Sequence, residues 1–457
     1  MTVFLEKVRQ KTLFSAFEPI ITEPLELIYL QTVLSQENIP SYIIDPLFEM
    51  KAPDSEVPDL IILSGYNVAE DLIIKTARRW RKTFPSARIM VSGVHAQLNR
   101  EVFQDEAIDY IFFSQSLETY RGFIRSFMRG EAFHRGVDVF YIESDVSGRE
   151  KDIWTPGEQD ILEKAESIIP DRKFFESVKN RTRYIDKKSL ALVKGGSGCP
   201  YGCSFCYCRL LNSGRYLRPD YEKLMEEINA IDSEHIWIID DSFLITREDA
   251  LDFIRASRKS SQNYGAGNAC TTGSAGTIGS TKSLIAYLRA DFVVENEDLI
   301  PELRECGLRE IITGFESPDA DTLRRYNKGQ SSGIYQKLTE ILKREDIELT
   351  ALFIVDPQYS VRDFIRLFRY IKKLGISLYT LSIMTPLKGT SDYVNKKHML
   401  TASDPGKFDF LHLVLPSRLP KWLFYALFYA GHLRLLKSRR IRNMIRGLIW
   451  KSKRGLL

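Results

Sequence analysis

The chain has 457 residues, 44% hydrophobic and 27% charged, a composition that excludes a disordered or fibrous protein and leaves room for two or three packed domains. Net charge is only +4, so bulk charge gives no reason to expect a nucleic-acid partner. No uncharged apolar run reaches about 18 residues and MTVFLEKVRQKTLF has no apolar leader core, so neither a membrane-spanning helix nor a secretory signal is expected.

From the N-terminus to about residue 140, apolar runs alternate with amphipathic stretches. A helix is predicted over 24–36, a strand over 41–44 and a strand over 59–64 ending at Ser64-Gly65. A helix over 69–84 leads to a strand over 87–91, followed by Ser92-Gly93-Val94-His95. A strand over 109–113 ends near Ser114-Gln115-Ser116, and a helix follows over 118–129. Continuous apolar strands separated by helices predict a doubly wound, Rossmann-like parallel sheet, with its ligands beyond the carboxyl ends of the strands.

Residues 141–188 read as an irregular polar linker. From 189 the strand–helix alternation resumes, with strands over 189–194, 235–239, 284–288, 310–314, 349–355 and 378–384. Six such units, ending near residue 392, predict a partial barrel of parallel strands with its site at the carboxyl ends. The Gly/Ser/Thr-rich segment Ser257–Thr281 interrupts the pattern as a loop.

Four of the six cysteines fall within ten residues, in Gly195-Gly196-Ser197-Gly198-Cys199-Pro200-Tyr201-Gly202-Cys203-Ser204-Phe205-Cys206-Tyr207-Cys208. Such crowding is unlike a disulfide framework and fits a reducing, cytoplasmic setting. Soft thiolates on a Gly-rich loop suit an iron–sulfur cluster, and three ligands on four irons leave one iron open to a further ligand. Two alternatives use Cys208 as a fourth sulfur: a structural zinc in a binding module, or a closed cluster serving as an electron carrier.

The Cys199–Cys203–Cys206 spacing, with Phe205 before the last thiol and a barrel strand ahead of the loop, resembles the CxxxCxΦC signature of the radical S-adenosylmethionine (SAM) superfamily. The resemblance implies a [4Fe–4S] cluster on those three cysteines and an external electron donor. It further implies SAM chelated by the open iron and reductive cleavage to a 5′-deoxyadenosyl radical. Phe205 would lie against the adenine. Ile238-Ile239-Asp240-Asp241, Arg289, Gly314-Phe315-Glu316-Ser317, Tyr326-Asn327-Lys328-Gly329 and Thr385-Pro386-Leu387-Lys388-Gly389-Thr390 are similar to motifs of the branch with an N-terminal cobalamin-binding domain. They place Asp240, Asp241, Arg289, Glu316 and Ser317 among the cofactor-binding residues, and Lys388 stands where that branch has a second proline. By the same resemblance the 1–140 region binds cobalamin through Ser64, Gly65, Ser92, Gly93, His95 and Gln115. Ser92 replaces a glycine of the usual GGxH, and Ser114–Thr119 replaces a GEGE-like turn. The implied activity is methyl transfer to an unactivated carbon of a small molecule. Cyclisation, oxidation or carbon–carbon bond formation is the alternative radical outcome.

The last acidic residue is Asp409, and the 48 residues after it carry eleven Lys/Arg. From Arg434 onward, basic residues interleave with apolar ones at three- and four-residue spacings. This predicts a helical basic extension over 393–457 that either packs on the barrel or lies on an anionic inner-membrane surface, in keeping with a lipid-like substrate.

Overall fold

The computed structural model describes residues 1–11, 19–145, 147–166, 168–263, 282–330 and 333–452. Among these residues two large sheets dominate. The first has seven strands in the order Ser41–Ile44, Val3–Lys7, Leu60–Ser64, Arg88–Ser92, Tyr110–Phe112, Val137–Ser144, Glu150–Thr155. Its first five strands pair in parallel and the last two add antiparallel at one edge. The parallel part therefore runs second, first, third, fourth, fifth in chain order, a doubly wound arrangement whose switch point lies beside Val3–Lys7.

That central strand is an addition to the sequence reading. Its Glu6 and Lys7 break the apolar run, yet all five residues are buried. Burial is tolerated because each charge has a partner: Arg79 reaches both Glu6 oxygens, at 2.9 and 3.0 Å, and Lys7 pairs with Glu26. The irregular linker expected over 141–188 is corrected. Its first part completes the strand pair Val137–Ser144 and Glu150–Thr155, and Lys173–Val178 is helical. Polar, half-exposed edge strands carry little apolar signal, which is why the pattern hid them.

The second sheet has six parallel strands in chain order: Ala191–Val193, His235–Ile238, Ser283–Tyr287, Leu308–Glu316, Glu348–Val355 and Leu378–Ile383. All six are the strands expected from the alternation. Sequential parallel pairing with helices outside gives the partial barrel. Inside it pack Leu192, Trp237, Ile285, Ile312 and Leu378, closed from below by Tyr184. The expected loop over Ser257–Thr281 begins as helix, since Arg247–Asn263 is helical. Residues 264–281, with Cys270, lie outside the described residues.

The C-terminal extension forms helices Lys421–Leu433 and Arg439–Ser452. Phe424 and Phe428 are fully buried in the barrel's outer core. Arg440 pairs with Asp186 at 2.7 Å and with Glu310 at 2.9 Å, fastening the last helix to the amino ends of the strands.

The two halves are also joined by buried charge. Arg172 donates to Glu23 at 3.1 Å and to Glu227, and Glu23 also accepts the Leu192 N–H at 2.9 Å. Burial outweighs the attraction of Arg172 and pushes both carboxyls up to about 7. A folded-state value above the unfolded one means that this contribution to stability is complete at pH below the usual glutamate range and is lost as pH rises through 7. Replacing Glu227 by Gln removes one of these titrations. Melting temperatures taken from pH 5 to pH 8 are expected to fall less in that variant than in the wild type, and an unchanged slope refutes the assignment.

Candidate active site

The loop after strand Ala191–Val193 is held by carboxylates from the end of the next strand. The N–H groups of Gly195 and Gly196 each donate to one oxygen of Asp240 at 2.8 Å, and Gly198 N–H donates to Asp241 at 2.8 Å. Asp240 is buried, and burial lifts its carboxyl to about 7 against the pull of those two donors. Both residues thus act on the loop backbone. Two glycines are required here. A Cβ at Gly196 would stand 2.7 Å from the Leu217 carbonyl, and Gly198 has φ +76° with a Cβ position 2.9 Å from the Arg215 carbonyl.

Cys199, Cys203, Cys206 and Cys208 are half-buried free thiols on this loop. Burial pushes Cys199 up to about 11. Burial raises Cys203 as well, opposed by the cations Lys328 and Arg289. A hydrogen bond from Cys208 lowers Cys206, while Cys208 itself is held well above the ordinary thiol range by that bond, by burial and by Asp241. Cys208 therefore keeps its proton and directs it at Cys206. Among the described residues no three His, Cys, Asp or Glu side chains converge tightly enough for a single metal ion. A tetrahedral zinc needs four ligands at about 2.3 Å from one point, whereas a four-iron cube holds its thiolates apart. The donor set, three thiols backed by two cations, fits the anionic cluster.

Around the loop stand the other barrel residues singled out in sequence. Phe205 meets Tyr326 edge-on, with ring centroids 5.3 Å apart. Glu316 ends its strand at φ +55° and pairs with Lys328 at 2.9 Å, both side chains being buried. Gly314 makes room for it, since a Cβ there would stand 2.0 Å from Glu316 Oε1. Ser317 is fully buried. Arg289 forms a forked pair with Asp291, donates to the Lys328 carbonyl at 3.0 Å and lies 3.6 Å over the Tyr201 ring. It braces the cysteine loop from the third barrel strand.

A crevice of about 320 Å³ opens between the carboxyl ends of the two sheets. Ser64, Gly65, Ser92, Gly93 and Gln115 line it from the N-terminal side, and Gly195, Gly196 and Ser197 from the barrel side. Ser197 Oγ donates to Gln115 Oε1 at 2.9 Å, which ties the cysteine loop to the last parallel strand end of the first sheet. The Ser114–Thr119 turn gains its carboxylates from elsewhere. Ser114 Oγ donates to Asp160 at 2.9 Å and Ser116 Oγ to Glu166 at 2.6 Å, so acidic groups arrive from 160–166. Gly93 adopts φ +97° and ψ 175°, a region essentially closed to other residues, and a Cβ would meet Ser64 Oγ at 2.7 Å. Gly93→Ala is expected to cost about 1–3 kcal/mol by thermal melting, and an unshifted melt would contradict this backbone geometry.

His95 lies apart from that crevice. Its Nε2 meets Glu70 at 2.8 Å and its Nδ1 meets the Asn99 amide at 3.3 Å, so both ring nitrogens are engaged by the protein. Glu70 is in turn reached by Lys388 at 3.0 Å, which places the residue in the proline's position at the seam between the two halves. Sequence reasoning passed over Glu70 and Lys328 as site residues. Glu70 shows only as a first-turn acid on an amphipathic helix, whereas Lys328 had a signal in the Tyr326–Gly329 motif.

Residues 193–393 match the sequence profile described as the Radical SAM superfamily. The chain is 25% identical over 235 residues to the hopanoid C-3 methylase of Methylococcus capsulatus, covering 51% of this chain and 42% of that protein. It is 23% identical over 299 residues to the bacteriochlorophyllide d C-8(2)-methyltransferase of Chlorobaculum tepidum, covering 60% of this chain and 62% of that one. It thus spans less than two thirds of either relative. In fold it is similar to the cobalamin-dependent SAM radical enzyme OxsB, solved with aqua-cobalamin and SAM bound, with a TM-score of 0.67 and 17% identity over 94% of this chain and 66% of that one. It is also similar to the radical SAM methyltransferase TsrM of Kitasatospora setae, with a TM-score of 0.60 and 14% identity over 84% and 73% of the two chains.

Proposed function

We propose, from the match of residues 193–393 to the Radical SAM superfamily profile, that the chain is a cobalamin-dependent radical SAM methyltransferase acting on an unactivated carbon of a hydrophobic small molecule. The observation that carries the reading is the shared crevice. Strand ends of both sheets face it, and the Ser197–Gln115 bond joins the cysteine loop directly to the first sheet. Cys199, Cys203 and Cys206 would hold a cluster, which when bound would supply the electron for SAM cleavage, and the crevice would hold a corrinoid, which would supply a methyl carrier.

The chain's own residues have distinct tasks in this reading. Asp240 and Asp241 fix the loop backbone so that the thiolates are presented without reorganisation. Lys328 holds the Glu316 carboxyl in place at 2.9 Å, and Glu316 with Ser317 receives the polar groups of SAM. Phe205 closes on the adenine face. Gly65 and Gly93 present bare backbone to the crevice at the strand ends, and Gln115 ties the cysteine loop to the first sheet. His95, with both nitrogens engaged, has none left for a cobalt ion.

Anaerobic reconstitution with iron, sulfide and hydroxocobalamin, followed by SAM and a low-potential reductant such as titanium(III) citrate, tests the proposal. Formation of both 5′-deoxyadenosine and S-adenosylhomocysteine from SAM is the expected result. 5′-Deoxyadenosine alone would transfer the reading to a radical reaction without methyl transfer, and neither product would refute both. Among the described residues no helix is long and apolar enough to cross a membrane. A peripheral contact through the C-terminal extension is part of the proposal: Trp422 is 73% exposed beside Lys421. Lys421→Glu with Trp422→Ser, which leaves the buried Phe424 and Phe428 in place, is expected to abolish sedimentation with anionic liposomes, and equal sedimentation would refute the contact.

A further inference from the structure

A second cavity, of about 470 Å³, lies beside the cofactor crevice at the seam of the two halves. Its volume falls in the range of about 300–1,000 Å³ usual for small-molecule sites. Tyr66 and Val94 line both spaces, so the cavity continues the crevice. On the barrel side it is walled by Tyr207, which directly follows Cys206, and by Leu387 and Lys388 after the last strand. A molecule held there would touch the cysteine loop and the corner of the first sheet together. Tyr66 is 56% exposed, an aromatic face left uncovered at the border of the two spaces.

The chemistry of the walls is uneven. Val94, Leu98, Leu387, Leu400 and Phe408 make most of the surface apolar. Charged groups gather at one place, where Glu70 is shared by Lys388 and His95. Burial pushes Glu70 up, but the hydrogen bonds from His95 and Lys388 outweigh it and hold the carboxyl below its usual range. Both ring nitrogens of His95 are occupied, Nε2 by Glu70 at 2.8 Å and Nδ1 by the Asn99 side chain at 3.3 Å. The Lys388 ammonium and the Glu70 carboxylate, 3.0 Å apart, cancel each other. An incoming anion or cation would meet a site already neutralised, and would lose its hydration for little return. A hydroxyl suits it better. It can accept from Lys388, which has three donors, and donate to Glu70, which has lone pairs to spare.

We infer that this cavity is the substrate site and that it takes a neutral, largely apolar, ring-sized molecule bearing a hydroxyl, with Lys388 and Glu70 as the hydroxyl anchor. The inference rests on the proposed function and names the substrate class for it. Lys388 is then a specificity residue, standing where the resembling branch has proline.

Equilibrium dialysis of the full, cluster-reconstituted chain tests this with three probes on one skeleton: 5α-androstan-3β-ol, 5α-androstane and the 3-sulfate of the alcohol. The alcohol is expected to bind at least about tenfold more tightly than the other two. Lys388→Met is expected to erase that preference while leaving the hydrocarbon's affinity in place. Should Lys388→Met fail to fold, as judged by circular dichroism, Ala402→Phe serves instead. Ala402 lines the cavity on an irregular segment away from the anchor, and the larger ring is expected to exclude all three probes. Equal binding of the three probes, binding of none, tighter binding of the sulfate, or displacement of the alcohol by hydroxocobalamin would each overturn the inference. SAM cleavage is measured on the same preparation. 5′-Deoxyadenosine without alcohol binding refutes the substrate site alone, and no 5′-deoxyadenosine refutes the underlying reading.

Discussion

Cys203→Ala is expected to leave the reconstituted protein with little iron and to abolish 5′-deoxyadenosine formation, a loss of at least about 1,000-fold or ~4 kcal/mol in barrier. The reason is ligand count. With two thiolates left, a four-iron cube has two unprotected corners and no protein bridge across the loop. Burial raises the Cys203 thiol, and Lys328 and Arg289 oppose that rise. Cys208→Ala is the informative control. Cys208 keeps its proton by bonding to Cys206, so its loss is expected to leave iron content near the wild-type value. Iron retained in Cys203→Ala but lost in Cys208→Ala would move the ligand role to Cys208 and revive the closed-cluster alternative.

The second large effect concerns the buried pair Glu316–Lys328. Lys328→Met removes the cation and leaves the buried Glu316 side chain in the barrel mouth without its ion-pair partner. Breaking a buried pair in this way costs about 3–5 kcal/mol, and each kcal/mol lowers the melt by roughly 2–4 °C in domains of this size. The double variant Lys328→Met/Glu316→Gln is expected to recover much of that loss, because neither charge is then stranded. SAM affinity, read by equilibrium dialysis, is expected to fall at least about tenfold in both variants, since Glu316 loses its positioning partner in the first and its carboxyl group in the second. A double variant that regains SAM binding along with stability would mean that the pair is structural only.

The strands of the barrel were legible because parallel, doubly covered strands are written as continuous apolar runs such as Ala191–Val193 and Leu349–Val355. The same holds for Leu60–Ser64 and Arg88–Ser92 in the first sheet. Val3–Lys7 was not legible, because its two charges are satisfied by Arg79 and Glu26, residues far along the chain. The edge pair Val137–Ser144 and Glu150–Thr155 was missed for a different reason. Half of its surface faces water, so its composition is that of a loop.

The sequence by itself determined the thiol set and its loop, because ligand spacing and backbone freedom are local: three cysteines, the glycines that clear Leu217 and Arg215, and an aromatic before the last thiol all lie within twelve residues. It also determined the order of the strands that carry Asp240, Arg289 and Glu316. Only the tertiary structure decided what those residues do. Asp240 and Asp241 act on the loop backbone, Arg289 is committed to Asp291 and Tyr201, and His95 is turned to Glu70. Each depends on which partner from a distant segment arrives at the strand end. A buried charge or ring nitrogen settles with whatever neutralises or hydrogen-bonds it there, and that neighbour is set by packing between the two sheets.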